Sequence, residues 1–239
     1  AQSLARDLMG DHNGEDGGIE DLCIVATPPN FIAEVIQSEL SRNSQLRVMD
    51  ISSIKTTPLH EVSSIGFDLS LFAPTHPMAG REINGAENAR ADLFEGRAWI
   101  GISDSFKDAK KKEIAQNLVQ MCGGTLYWLT SKEHDELVAK ISHIPQILSS
   151  LIAGSLESLS TENLNLAGQG LRDLTRLASA DAALWSQILA ENHASIAPVI
   201  DSIINNLKNV KQSIVNRNAS ELNDFFNKNF TFHSFDKGF

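Results

Sequence analysis

The fold is decided by residues 21–40, DLCIVATPPNFIAEVIQSEL, where an apolar strand pattern changes into a helical one. The run DLCIVATPP at 21–29 predicts a buried strand that ends at a Pro-Pro turn. Residues 30–40 place their apolar side chains on one face of a helix. A strand joined by a short turn to an amphipathic helix is the repeating unit of an α/β sheet.

The same alternation continues along the chain as far as residue 130. Further strand patterns occupy 45–53, 67–76, 97–104 and 125–130, and a helical pattern at 108–124 ends in two glycines. Strands that alternate with helices predict a mostly parallel α/β sheet. We therefore predict a Rossmann-like dinucleotide-binding domain over residues 1–130, incomplete at its amino end.

From residue 131 onwards the patterns are helical. Pro145 interrupts one long helical pattern and should kink or split it. A later helix is predicted to begin at Ser179 or Asp181, which are both good capping residues. The helix patterns carry wide apolar faces, and such faces favour association with a second copy. Residues 131–239 are thus predicted to form an all-helical domain that makes a homodimer.

Composition narrows the possible partners and the compartment. The 239 residues are 42% hydrophobic and 21% charged with a net charge of −10, which is typical of a soluble globular protein. Basic residues do not interleave with aromatic ones, so no nucleic-acid partner is expected. No apolar stretch reaches the roughly 20 residues of a membrane span, so no membrane partner is expected. Cys23 and Cys122 lack metal-ligand spacing, which predicts buried thiols in the cytoplasm and no metal site.

The glycine-rich turn of dinucleotide-binding domains is missing from the sequence. Nicotinamide-dependent dehydrogenases often join an α/β half to a helical half, and the first half opens with strand, G-x-G-x-x-G and helix. Glycines at 10–18 have the wrong spacing, and those at 122–124 end a helix. We infer that a first βαβ unit, about 30 residues or more, precedes Ala1 in a longer parent protein.

Four sets of segments together resemble prephenate dehydrogenase and the arogenate dehydrogenases of the same family. They are DLCIVATPP (21–29), DISSIK (50–55), HPMAG with LFEGRAWI (76–80, 93–100), and SHIPQ with GLRDLTRLASADAALWSQILAEN (142–146, 170–192). The resemblance implies oxidative decarboxylation in tyrosine biosynthesis. A hydride passes from the hydroxyl-bearing ring carbon to NAD or NADP, and carbon dioxide leaves the opposite carbon. Prephenate would give 4-hydroxyphenylpyruvate, whereas arogenate would give tyrosine directly.

His76 is the predicted catalytic base. It lies in FAPTHPMAG (72–80) at the end of a predicted strand, between Pro74 and Pro77, which restrict the backbone on both sides. Sites in open α/β sheets lie at the carboxyl ends of strands, and an imidazole suits proton transfer at neutral pH. From the pattern alone, a loop histidine that caps a carbonyl is the better explanation. The resemblance assigns His76 the proton of the substrate hydroxyl.

The resemblance also implies contacts at the other strand ends. Ser53 would lie beside the nicotinamide and the substrate hydroxyl, where it could hydrogen-bond His76; by pattern alone it is an ordinary turn serine. Thr27, Pro28 and Pro29 would contact the ribose or nicotinamide of the cofactor.

On the helical half the resemblance implies a substrate site. Arg176 would bind a substrate carboxylate, with Asp173 holding Arg176 or Arg172 in place. His143 would face the substrate, and Trp185 would lie beside the pocket. From pattern alone, RDLTR is a surface ion-pair ladder and His143 a core histidine.

Arg81 is predicted to select between the two substrates. It follows HPMAG, near the expected position of the substrate side chain. An arginine there would favour the pyruvyl arm of prephenate and repel the ammonium group of arogenate. The alternative is that Arg81 points to solvent.

Two other functions fit parts of the sequence. One is a two-domain dehydrogenase of the 3-hydroxy acid or pyrroline-carboxylate reductase kind, which often uses a catalytic lysine; HPMAG and RDLTR argue against it. The other is a non-catalytic helical dimerisation protein with a vestigial nucleotide domain, and its support is the absent glycine turn.

Overall fold

The structure, a computed structural model, describes residues 22–41, 47–80, 88–105 and 109–230. A single sheet holds the described strands in the order β1-β2-β3-β4-β5. They are β1 (Leu22–Val25), β2 (Arg47–Asp50), β3 (Phe72–Pro77), β4 (Ala98–Ile102) and β5 (Thr125–Leu129). The β1–β2, β2–β3 and β4–β5 pairs are parallel and β3–β4 is antiparallel. The predicted strands and the mostly parallel sheet are confirmed.

Helices cover both faces of the sheet. Neighbouring residues of a strand point to opposite faces, and β2 shows this directly. Val48 packs in a cluster with Ile32 and Ile36 of α1 (Ile32–Leu40), whereas Met49 packs with Ala115 of α3 (Ala109–Met121). Helix α2 (Thr56–Ser64) adds Val62 to the first cluster. Because both faces are covered, strands such as β1 (LCIV) and β4 (AWIGI) read as apolar runs in the sequence.

Everything described after β5 is helical, as the sequence predicts. The α-helices are α4 (Ser131–Val138), α5 (Ile144–Ser155), α6 (Thr161–Leu164), α7 (Gln169–Thr175), α8 (Ala182–Glu191), α9 (His193–Val215) and α10 (Ala219–Phe230). Short 3-10 helices occupy Pro29–Phe31, Leu69–Leu71 and Arg176–Ser179.

Pro145 is accommodated by a widened turn and not by a break. A π-helical segment, Ala139–His143, lies between α4 and α5, and Pro145 lies in the first turn of α5. Proline has no N–H to donate, and the π turn immediately before it changes the hydrogen-bond pattern there. His143 is the last residue of this turn and is buried.

Helix α8 is capped by Asp181 and not by Ser179. The Asp181 carboxylate accepts the N–H of Leu184 at 2.8 Å, while Ser179 belongs to the preceding 3-10 helix. The sequence prediction named both residues, and an acidic residue at this position is favourable near the N-terminal end of the helix dipole.

Several helices of the second half leave apolar side chains uncovered within one chain. On α9, Leu207, Ile214 and Val215 are each more than half exposed. Among the described residues, the helical span Ser131–Ser155 is also long and apolar enough, by length and composition, to cross a membrane, although about 33% of that window is buried. Helices of soluble proteins meet the same criteria. The sequence-based statement that no stretch approaches this length was therefore wrong, while the expectation of no membrane partner stays a prediction.

Both cysteines differ from the prediction in their burial. Cys23 and Cys122 are free thiols of intermediate exposure, not fully buried ones. Partial burial raises the pKa of each thiol, with Glu39 adding to the effect at Cys23.

Candidate active site

Three of the predicted site residues lie at one edge of the sheet. β1, β2 and β3 are parallel neighbours, and Thr27, Ser53 and His76 lie at or just beyond their carboxyl ends. The Thr27 hydroxyl oxygen is buried and has no hydrogen-bond partner among the described residues. Pro28 and Pro29 follow it and begin the 3-10 helix that leads into α1. A row of strand ends of this kind is where ligands bind in open α/β sheets.

A buried ion pair holds the loop that carries Ser53. The ammonium group of Lys55 is fully buried, pairs with the Asp50 carboxylate and donates to the Ser52 hydroxyl at 3.1 Å. Burial lowers the pKa of Lys55, and the Asp50 carboxylate opposes that shift. The Thr75 hydroxyl donates to the Asp50 carbonyl at 3.0 Å and so ties β3 to β2. Asp50 and Lys55 therefore fix the relative positions of two strand ends.

Replacing Lys55 with methionine should lower the free energy of unfolding by about 3–5 kcal/mol, because it leaves a buried carboxylate without its counter-charge. The double variant Lys55→Met/Asp50→Leu should recover most of the loss. Urea denaturation measures both. The control is Lys132→Met in the exposed Lys132–Glu136 pair, for which we expect a change below about 0.5 kcal/mol. Equal losses for Lys55→Met and Lys132→Met would contradict this prediction.

His76 contacts a residue of the helical half. Its Nδ1 lies 2.8 Å from Nε2 of His134, which belongs to α4 and is fully buried. On its other side, Nδ1 of His134 lies 2.8 Å from an oxygen of Asp135. The Asp135 carboxylate also accepts the N–H groups of Lys55 at 2.9 Å and Thr56 at 2.8 Å, at the start of α2. One carboxylate thus joins the helical half to the loop after β2.

In this network the His76 and His134 rings are neutral at neutral pH, and the Asp135 carboxylate is an anion. Burial lowers the pKa of His76 well below 6.5, and the charges of His134, Lys55 and His143 lower it further. Burial also lowers the pKa of His134, against the opposing hydrogen bond with Asp135. Burial raises the pKa of Asp135, but hydrogen bonds from His134 and Thr56 outweigh it, so the net pKa is lowered. At neutral pH, His76 is therefore available to accept a proton.

The side-chain amide of Asn192 contacts both the His143 ring and the backbone of Asp135. The Asn192 amide nitrogen donates to the Asp135 carbonyl at 2.9 Å and lies 3.2 Å from Nδ1 of His143. Because a carbonyl only accepts, the amide nitrogen faces both groups, and Nδ1 of His143 is the acceptor. Neutral His143 then carries its proton on Nε2. The Trp185 ring meets His143 edge-on, with centroids 5.9 Å apart.

Burial sets the pKa of His143 at about 4, and this gives a stability prediction. Its unfolded value is about 6.5, so the unfolded chain binds a proton that the folded chain does not as pH falls from 6.5 to 4. Folded-state stability is full above pH 6.5 and should fall over this window, by up to about 3 kcal/mol from His143. Urea denaturation at several pH values should show a shallower fall for His143→Asn. The exposed His193→Asn is the control, and an equal slope in the two variants would contradict the prediction.

The 3-10 helix Arg176–Ser179 is hydrogen-bonded to α5, the helix that follows His143. Gln146, three residues after His143, donates to the Leu177 carbonyl at 2.8 Å. Arg176 begins this 3-10 segment and its side chain is exposed. Asp173 is also exposed and accepts a hydrogen bond from Gln169 at 2.7 Å. Its predicted role of holding an arginine stays a prediction.

Two other predicted contacts also stay predictions. Within the described ranges, no hydrogen bond joins Ser53 to His76, whose Nδ1 is taken by His134. Arg81 lies outside the described residues.

Sequence reasoning missed His134, Asp135 and Asn192. The one signal for the first two was a His-Asp pair in the first turn of the helix after the last strand, where Thr130 and Glu133 form a capping box. Asn192, at the junction of α8 and α9, gave no signal of its own.

A mostly parallel sheet with polar groups at the carboxyl ends of its strands, followed by a helical half that contacts these ends, is typical of two-domain dinucleotide-binding proteins. Two family models match this chain. One describes the nucleotide-binding domain of prephenate dehydrogenase and matches residues 10–128. The other describes the dimerization domain of prephenate dehydrogenase and matches residues 130–228. The chain belongs to the prephenate dehydrogenase family.

Curated relatives and solved structures agree with this assignment. A protein of Streptomyces niveus described as a probable prephenate dehydrogenase is 31% identical over 195 residues, covering 81% of this chain and 54% of the relative. Prephenate dehydrogenase of Bacillus subtilis is 26% identical, covering 85% of this chain and 56% of the relative. The chain thus spans little more than half the length of these two relatives.

The fold resembles that of Aquifex aeolicus prephenate dehydrogenase, solved in complex with hydroxyphenyl propionate and NAD+. The TM-score is 0.79 at 24% identity, covering 90% of this chain and 77% of that one. Synechocystis arogenate dehydrogenase gives a TM-score of 0.74 at 21% identity, covering 98% and 82%. The predicted fold class is confirmed. The βαβ unit expected ahead of Ala1, the domain limits at residue 130 and the individual roles of the site residues stay predictions.

Proposed function

We propose that this chain carries out the NAD- or NADP-dependent oxidative decarboxylation of prephenate to 4-hydroxyphenylpyruvate, a step of tyrosine biosynthesis. Family membership supports the reaction class. The observation that carries the proposal is the position of His76, a neutral imidazole at a strand end whose Nδ1 is already engaged by His134. Among the described residues, no hydrogen bond engages its Nε2, which would accept from a substrate hydroxyl.

The role of His76 follows from the charge changes of this reaction. Loss of hydride leaves positive character on the ring carbon that bears the hydroxyl, and removal of the hydroxyl proton by His76 stabilises it. When carbon dioxide leaves, the electrons of the broken C–C bond enter the ring and make it aromatic. The oxygen then carries the negative charge and takes the proton back. His76 is neutral before and after the reaction, which is the state that its lowered pKa favours.

The residues at the strand ends fit a nicotinamide nucleotide. The buried Thr27 hydroxyl, without a partner among the described residues, is a group that a ribose or amide could satisfy. Pro28 and Pro29 remove backbone donors there, so contacts would come from Thr27, from carbonyls and from Ser53. When bound, the oxidised nicotinamide would supply the hydride acceptor.

Substrate binding is proposed for the helical half. Arg176 would hold a carboxylate of prephenate, and Asp173 would orient an arginine of the same helix turn. His143 would donate its Nε2 proton to the substrate side chain, with Trp185 closing the pocket beside it. Arg81 would favour the pyruvyl arm over an ammonium group. We further propose a cytoplasmic homodimer that associates through the uncovered apolar faces of the helical half.

Absorbance at 340 nm tests the proposal directly. We expect reduced cofactor to form with prephenate and NAD or NADP, together with an equal amount of 4-hydroxyphenylpyruvate. Faster turnover of arogenate would make the chain an arogenate dehydrogenase, and a loss of the prephenate preference in Arg81→Thr would support the selector role. No turnover of either substrate by the chain or by its longer parent would favour the non-catalytic alternative.

A further inference from the structure

We infer that His134 and Asp135, from the helical half, are positioning residues that hold neutral His76 in the tautomer with its lone pair on Nε2. The inference rests on the geometry of the network and, for its catalytic consequence, on the proposed function.

The direction of the hydrogen bonds is fixed at the Asp135 end. The lowered pKa makes Asp135 an anion, which only accepts hydrogen bonds. Its carboxylate also accepts hydrogen bonds from the backbone N–H groups of Lys55 and Thr56, and such groups can only donate. Nδ1 of His134, 2.8 Å away, must therefore carry a proton and donate it to Asp135.

The proton on Nδ1 of His134 in turn determines which nitrogen of His76 is protonated. A neutral imidazole with its proton on Nδ1 has a lone pair on Nε2. That lone pair lies 2.8 Å from Nδ1 of His76, which must be the protonated nitrogen because two facing lone pairs would leave a buried acceptor pair unsatisfied. Nε2 of His76 is then bare and can accept a proton. Without this network, a neutral histidine is free to adopt either tautomer.

The other titratable groups near the network do not change this assignment of protons. Lys55 and His143 both lower the pKa of His76, which keeps its ring neutral. The Lys55 ammonium is engaged by Asp50 and Ser52, and Nδ1 of His143 by Asn192. Both ring nitrogens of His134 are engaged, Nδ1 by Asp135 and Nε2 by His76, so it acts through His76 and not on the substrate.

Two substitutions of similar size separate positioning from packing. The amide of His134→Gln reaches the position of Nε2 and can accept from His76, but it loses the contact with Asp135 that orients the ring. The amide of His134→Asn reaches only the position of Nδ1, so it can donate to Asp135 but loses the contact with His76. We expect kcat on prephenate to fall about 100-fold in His134→Asn with little change in KM, since loss of orientation acts on the chemical step. His134→Gln should lose less, about tenfold, because its amide keeps a contact with His76 but can present either its oxygen or its nitrogen.

Nitrogen NMR of the full chain without substrate decides the tautomer itself. The ¹⁵N shifts of His76 should show a protonated Nδ1 and a bare Nε2 in the original chain, and mixtures of the two tautomers in His134→Gln and His134→Asn. A His76 protonated on Nε2 in the original chain would overturn the inference, as would equal kcat in the two variants. If the expected tautomer is found but prephenate is not turned over, the proposed function fails while the network stands.

Discussion

Replacing His76 with asparagine is expected to lower kcat on prephenate about 1,000-fold, because positioned acid–base groups contribute rate factors of this order. Asparagine is smaller and can still reach towards His134, but it has no basic nitrogen for the hydroxyl proton. KM should change little, since the lost interaction acts mainly in the transition state. Steady-state kinetics with either nicotinamide cofactor measure both constants.

The matched control is His60→Asn, at an exposed position on α2. We expect its kcat and KM to equal those of the unmodified chain. A His76→Asn variant that folds and keeps more than about a tenth of the original kcat would rule out His76 as the base.

Replacing Arg176 with glutamine is expected to raise KM for prephenate about 100-fold, because it removes the proposed charge-assisted, bidentate contact to a carboxylate. The fall in kcat should be smaller than that in His76→Asn. Arg176→Lys should restore part of the affinity, because an ammonium keeps the charge but loses the planar fork. Arg176 and His76 therefore predict different kinetic signatures, one in binding and one in the chemical step.

Arg172→Gln is the control, because Arg172 lies one turn earlier in α7 and is also exposed. It should leave KM within about threefold of its original value. If Arg172→Gln raised KM and Arg176→Gln did not, the carboxylate site would have to be assigned to the other arginine.

The order of strands and helices could be predicted because the apolar patterns are local. Strands buried on both faces give apolar runs, and β4, AWIGI at 98–102, is an example. The π turn before Pro145 could not be predicted, because a proline in a helical pattern is compatible with a kink, a break or a widened turn. Asp181 and Ser179 were both acceptable caps, and only the folded chain distinguishes them.

The candidate site also contains two kinds of residue: those that a local sequence pattern indicates, and those whose contacts form only when the chain has folded. His76 could be singled out as a candidate because its setting between prolines at a strand end is visible within nine residues, although only the family resemblance favoured a catalytic role over a capping one. His134 is 58 residues away along the chain, and its contact with His76 exists only once α4 packs against the sheet. Asn192 likewise reaches Asp135 over 57 residues. A helical His-Asp pair has no chemical meaning in the sequence until its partners are known.

A crystal structure of the chain with prephenate and reduced cofactor, which cannot react further, tests the central claim most directly. We expect the ring hydroxyl oxygen about 2.6–3.2 Å from Nε2 of His76 and a carboxylate of the same molecule on the guanidinium of Arg176. A substrate whose hydroxyl faces another group, or a structure in which His76 and Arg176 face different cavities, would contradict the proposed mechanism.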